Sequence, residues 1–189
     1  MKNIEEIRMF WGEALVKLSQ AVVEPLAIDM ATKQFLADVG LPRQVAIFPD
    51  EDLTLEFHID GPFKTDMYKG QAVTLISQMG EAGIYVYIAA DGTILNRTGS
   101  GYKDEQWRFM NSSLEQFLTF IVIYKRLYPD FWFRPDIDFD DLDDEEQEEK
   151  LAQLAADFRA QFEPSDPKAF ENDETWWSVA IEQMEAGLW

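Results

Sequence analysis

Residues 109–117 read Phe-Met-Asn-Ser-Ser-Leu-Glu-Gln-Phe, and within them Asn111, Ser112 and Ser113 have the side chains of a hydrolytic site. A serine becomes a nucleophile only when a neighbouring base takes its proton and a third group orients that base. The chain has one histidine, His58, on the polar side of a strand-like stretch, where a solvent-facing residue is the plain reading. A general base also needs a positioned nucleophile or water, and no spacing supplies one. Ser112 is instead followed three residues later by Glu115, the spacing of a capping box, in which the hydroxyl takes one orphan backbone N–H and the carboxylate reaches back to the cap. The stretch therefore predicts a helix start. Leu114, Phe117, Leu118, Ile121 and Tyr124 recur on one helical face behind it, and Pro129 closes the run.

Metal and phosphate chemistry fare no better. Asp136, Asp138 and Asp140 imitate the first three ligands of a calcium loop, but Asp141 stands where the loop needs glycine and Gln147 where it needs glutamate. Gly99-Ser100-Gly101 is too short to cradle a phosphate and lacks a strand-to-helix context. With no cysteine in the chain, thiol nucleophiles, thiolate metal sites and disulfides are ruled out. No catalytic residue, metal site or cofactor is expected.

The charge is the most unusual property of the composition. Thirty-six acids stand against 16 bases, a formal net charge of −20. Nucleic acid is a poor partner for such a field, because phosphate backbones are bound through lysine and arginine. A basic protein would be attracted and its encounters steered. Ten acids and no base lie between Asp136 and Glu149, half the net charge in fourteen residues. That segment must face solvent, cations or a basic partner, since unpaired buried charges are too costly. A hydrophobic content of 47% fills a real core. Glu5, Glu6, Arg8 and Glu13 interrupt the stretch where a secretory signal needs an apolar run, and no segment has the roughly 20 apolar residues of a membrane span. A cytoplasmic protein is expected, so the acceptor patterns at Asn96 and Asn111 carry no glycan.

Several elements are needed to position these groups. Asn3 with Glu6 has capping-box spacing, and Ile4, Ile7, Phe10, Trp11, Ala14, Leu15 and Leu18 form an apolar stripe for a first helix. A shorter helix runs from Asp29 through Leu36 to Gly40, with Pro42 beyond. Leu53, Leu55, Phe57 and Ile59 alternate with polar residues as a strand. Ala72 to Ser77 and Ile84 to Ala89 follow, an Asp91-Gly92 turn leads to Thr93 to Asn96, and Trp107 to Met110 is a last short strand. After the long helix and the acidic segment, a helix from about Asp144 presents Leu151, Leu154, Ala155, Phe158 and Phe162 until Pro164 and Pro167 break it. A final helix from about Asp173 carries Trp177, Ala180, Ile181 and Met184 and ends at Gly187. Trp176 and Trp177 diverge by about 100° on it, so one faces the core, and the other either covers a neighbouring element or stands exposed as an anchor for a partner. The expected fold is a single α+β domain over 1–189, a mixed, mainly antiparallel sheet with packed helices, carrying the acidic segment 136–149 and C-terminal helices over 144–188.

Phe109-Met110-Asn111-Ser112-Ser113-Leu114 with Phe117, Gly40-Leu41-Pro42, Asp91-Gly92, Asp166-Pro167 with Ala169, and Trp176-Trp177, taken in this order and spacing, resemble the SUKH superfamily of bacterial immunity proteins, closest to its fourth subgroup. The resemblance implies an α+β domain that protects a bacterium by binding a toxin, without chemistry of its own. Because the matching positions are caps, turns and core, they transfer a fold more securely than a function. The first expectation is thus an immunity protein that occludes a basic, nucleic-acid-targeting toxin. Asp138, Asp140, Asp141, Asp143, Asp144, Glu145 and Glu146 would supply its charge, and Trp176 and Trp177 its aromatic contacts. A carboxylate-based hydrolase or ligand-binding enzyme, and a regulatory scaffold or adaptor, are the alternatives.

Overall fold

The computed structural model describes residues 2–46, 54–79, 83–99, 106–132 and 143–186. Helix α1 spans Lys2–Trp11, so Asn3 lies inside it rather than at its cap. It also stops short of the apolar stripe read from the sequence: Gly12 turns left-handed at φ +52°, a short 3₁₀ turn follows, and Leu15–Val16 form strand β1. After α2 (Gln20–Val23) comes α3 (Met30–Asp38), whose N-terminus is capped by Asp29 accepting from the Thr32 N–H at 3.0 Å. Gly40 ends it as expected, at φ +93° with its N–H on the Phe35 carbonyl.

The chain then returns as β2 (Leu41–Pro42), which pairs with β1 through Val16 and Leu41. A Cβ on Gly40 would lie 2.5 Å from the Val16 carbonyl carbon and 2.8 Å from the Lys17 nitrogen, both backbone atoms. Gly40→Ala therefore combines a left-handed φ with a backbone collision. It is expected to lower unfolding free energy by about 2 kcal/mol, measured as a fall in the urea midpoint at unchanged slope.

The main sheet follows: β3 (Gln44–Ala46), β4 (Thr54–Phe57), β5 (Thr65–Tyr68), β6 (Gln71–Met79), β7 (Ile84–Ile88), β8 (Ile94–Thr98) and β9 (Gln106–Asn111). Its order is β3-β4-β6-β7-β8-β9, with β5 also on β6. Every strand pairing among the described residues is antiparallel. Strands β4 and β5 share one edge of β6, β4 beside Ser77 and Gln78 and β5 beside Gln71 to Thr74. The Asp91-Gly92 turn joins β7 to β8, with the Thr93 N–H on the Asp91 carboxylate at 3.0 Å. Strands β3 and β5 escape the periodicity argument because they are short and carry little apolar alternation. The Lys69-Gly70 turn between β5 and β6, both residues at positive φ, was the available hairpin signal.

Helix α4 (Leu114–Trp132) is the centre of the fold. Leu114, Phe117, Leu118, Phe120, Ile121, Val122 and Tyr124 are all buried, as expected of a helix that is apolar on more than one side. Phe117 meets Phe57 of β4 at a centroid distance of 6.4 Å on the sheet side. On the opposite side Phe120 stacks on Phe162 at 4.8 Å. The helix runs through Pro129 instead of stopping there, since a proline so near a C-terminus removes one backbone bond without ending the turn. Helix α5 (Asp144–Phe162) packs Leu154, Ala155, Phe158 and Phe162 inward. A 3₁₀ turn over Pro167–Phe170 then leads to α6 (Trp176–Glu185), capped by Thr175.

Candidate partner-binding surface

The serines at the β9–α4 junction are structural. Ser113, one residue later than the predicted cap, accepts from the Gln116 N–H at 3.2 Å while its hydroxyl donates to Gln116 Oε1 at 3.0 Å. Ser112 is thereby released for another bond. Its hydroxyl donates to Asp166 Oδ1 at 2.8 Å and its N–H to Oδ2 at 2.7 Å. Asn111 Nδ2 also donates to Oδ2, at 3.2 Å, and Asn111 Oδ1 accepts from Trp177 Nε1 at 3.1 Å. Gln116 adds a bond to the Ser165 carbonyl at 3.0 Å. A carboxylate that is 1% exposed is thus held by three donors and clasps the C-terminal helices to the sheet. The Ser112 hydroxyl is bonded to a buried carboxylate that two further N–H donors already hold in place, and no imidazole is bonded to it.

His58 lies half-buried beyond β4, with Nε2 buried and no hydrogen-bond partner. Burial first, then the nearby Lys64 charge, pushes its pKa below the usual histidine range, with Glu56 opposing. The hollow around it is polar, lined by Arg43, Glu56 and Asp60. No group of three or more metal-ligating side chains occurs among the described residues, and no helix there is long and apolar enough to cross a membrane.

The acidic segment falls partly outside the described residues, and with it Asp136, Asp138, Asp140 and Asp141. Asp143 and Glu146 form a reciprocal capping box at the start of α5: the Glu146 N–H reaches Asp143 Oδ1 at 2.9 Å and the Asp143 N–H reaches Glu146 Oε2 at 3.4 Å. Both are exposed, as are Glu148 and Glu149. Asp144 and Glu145 open the helix itself. The acidity belongs to the whole C-terminal third, where residues 130–189 hold nineteen acids and four bases, three-quarters of the net charge.

The tryptophan pair divides as its helical spacing requires. Trp177 is 6% exposed and packs edge-on to Phe120 at 5.2 Å, so its ring belongs to the core. Trp176 is half-buried at the edge of an apolar cleft of about 160 Å³. The floor of that cleft includes Met79, Val86, Met110 and Phe117, and α6 contributes Val179 and Gln183 beside Trp176.

The sheet face turned away from α4 carries a second cluster that sequence reasoning missed. Arg97 pairs with Asp66 and lies over Tyr85 and Tyr87, at 5.3 Å from each ring centroid, and over Trp107 at 5.6 Å. Tyr68 and Tyr87 flank Trp107 at 5.1 and 4.9 Å. Burial, against the opposing Arg97 charge and with help from Asp66, pushes the Tyr87 hydroxyl up to about 12. The signal was present in Ile84-Tyr85-Val86-Tyr87-Ile88, where both faces of the strand are apolar or aromatic, so neither was meant for open water.

These features define an α+β protein whose main antiparallel sheet is layered against helices and tied to them by a buried carboxylate clasp. The family model described as SUKH-4 immunity protein matches residues 5–183, and the chain belongs to that family. No curated protein matches the chain, and no solved structure does. Four of the residues that carried the likeness in the sequence meet in space: Asn111, Ser112, Asp166 and Trp177 are one hydrogen-bonded unit.

Proposed function

We infer that the protein, acting as one domain in the cytoplasm, protects its cell by binding a cognate toxin and covering the toxin's active site, with no catalysis of its own. The observation that carries this reading is the family match across 5–183. The charge supports a basic partner: a toxin that acts on nucleic acid needs a cationic cleft, and an acidic surface competes with phosphate for it. Asp138, Asp140, Asp141, Asp143, Asp144, Glu145 and Glu146 provide the electrostatic part of the surface. Trp176 provides the aromatic contact, because Trp177 is taken up by the core.

Co-expression with the toxin encoded beside this gene tests the reading. Growth rescue with formation of a stoichiometric complex is expected, and hydrolysis by the isolated protein of any general ester, phosphate or glycoside substrate would count against it. A sharper test neutralises Asp140, Asp141, Asp143, Asp144, Glu145 and Glu146 as Asn and Gln. Asn caps a helix as well as Asp does, and Gln serves in a capping box, so the start of α5 and the melting temperature should be preserved. The association rate at low salt should fall about tenfold and its salt dependence flatten. An unchanged rate and salt slope would make this segment a solvated face only.

A further inference from the structure

Resting on the toxin-binding reading, we propose that the cleft bounded by α4, α6 and strands β4, β6, β7 and β9 is the anchor pocket of the interface. Its occupant is one leucine- or phenylalanine-sized side chain projecting from a basic protein surface. The cavity measures about 160 Å³, and an apolar cavity of roughly 150 Å³ stays dry and takes a benzene-sized group. Its floor, including Met79, Val86, Met110 and Phe117, is buried, whereas Ile84, Trp176, Val179 and Gln183 form a partly exposed rim. Small-molecule sites combine an apolar wall with several convergent polar groups that fix orientation. Here the polar groups of the lining side chains are Gln183 and the Trp176 indole N–H at the rim, the hydroxyl of Tyr124, and the Trp177 indole N–H, which is already given to Asn111. Such a lining selects shape and apolarity, as an interface hot-spot pocket does.

Charge names the surface that carries the side chain. The rim residues Trp176, Val179 and Gln183 sit on α6, in the third of the chain that holds three-quarters of its net negative charge. Glu174, Glu182 and Glu185 of the same stretch are exposed. An apolar knob ringed by lysine or arginine matches both the pocket and its surroundings, while one ringed by carboxylates would be repelled. The pocket supplies a water-excluding anchor, and the acidic residues of the surrounding C-terminal third supply orientation and encounter rate.

The test uses the whole chain and two peptide probes, acetyl-Lys-Lys-Phe-Lys-Lys-amide and its Phe→Ala counterpart, followed by amide and indole chemical shifts. The phenylalanine peptide should shift Trp176, Val179 and Ala180 and bind at least about tenfold more tightly than the alanine peptide. A Glu-flanked phenylalanine peptide should bind at least about tenfold more weakly than the Lys-flanked one. Val179→Gln, on a half-buried rim position that leaves the core in place, should abolish the preference for phenylalanine. Ala180→Leu, which fills the pocket, should do the same if it folds. Equal binding of the two Lys peptides, shifts located elsewhere, or an undiminished preference in Val179→Gln would overturn the proposal. With the toxin in hand the two readings separate: full protection and unchanged affinity in Val179→Gln would remove the anchor pocket and leave immunity standing. Peptide selectivity without toxin binding would do the reverse.

Discussion

Asp166→Ala is expected to destabilise the protein by about 4 kcal/mol, because it removes hydrogen bonds to a charged acceptor and leaves buried donors without partners. The carboxylate accepts from Asn111 Nδ2, Ser112 N–H and Ser112 Oγ. Of these groups the Ser112 hydroxyl can rotate to another acceptor, but the backbone N–H and the Asn111 amide are fixed. Asn111 is itself fully buried and held from its other side by Trp177 Nε1, so loss of Asp166 spreads to α6. Asp166→Asn is expected to cost about half as much: its oxygen still accepts from the Asn111 amide and the Ser112 N–H, and its NH2 faces the Ser112 hydroxyl, which can turn to accept, so what is lost is the strength of a charged acceptor. Urea unfolding of the three proteins, monitored by tryptophan fluorescence, checks the order. If Asp166→Asn and Asp166→Ala proved equally mild, below about 1 kcal/mol, the clasp would not be holding the C-terminal helices.

Phe120→Ala is expected to cost about 4 kcal/mol, within the range for removing a buried aromatic ring. The ring is fully buried, stacks on Phe162 at 4.8 Å and meets Trp177 edge-on at 5.2 Å, with Phe170 at 6.2 Å. It is thus the point where α4 touches α5, the 3₁₀ turn and α6 together. These neighbours come from three separate elements and cannot all close in on the space, so most of the cavity should persist. Phe120→Leu, which refills part of the volume, should cost about 1.5 kcal/mol. A second expected sign is altered Trp177 emission in the folded Phe120→Ala protein. A loss near 1 kcal/mol for the alanine variant would mean the helices repack freely around α4, against the stacking seen here.

Much of this architecture was legible in the residues because it is written in local periodicity. Helix α4 announces itself through apolar spacing, α3 through Asp29 at its start and Gly40 at its end, and the β7–β8 hairpin through Asp91-Gly92. Those signals act within a few residues, where backbone geometry and side-chain spacing settle the outcome. The acid-rich C-terminal third was readable as composition, and the exposure of Asp143, Glu146, Glu148 and Glu149 follows from the cost of burying charge. Where local signals competed, the reading missed by a residue or a turn. Ser112 and Ser113 both satisfy the capping pattern, and only the presence of Asp166, 54 residues away, decides that Ser113 caps while Ser112 enters the clasp.

The tertiary structure alone decided everything that depends on which distant segments meet. It assigned Trp177 to the core and Trp176 to the rim of a cleft, a choice that 100° of helical rotation leaves open until β9 and Asn111 fix the orientation of α6. It stacked Arg97 among Tyr85, Tyr87 and Trp107 across neighbouring strands whose register no single strand contains. It also formed the apolar cleft, whose walls come from four strands and two helices. A single helix or strand determines its own faces through its dihedral angles, but a cavity or a buried carboxylate exists only between elements, and its residues are chosen by packing.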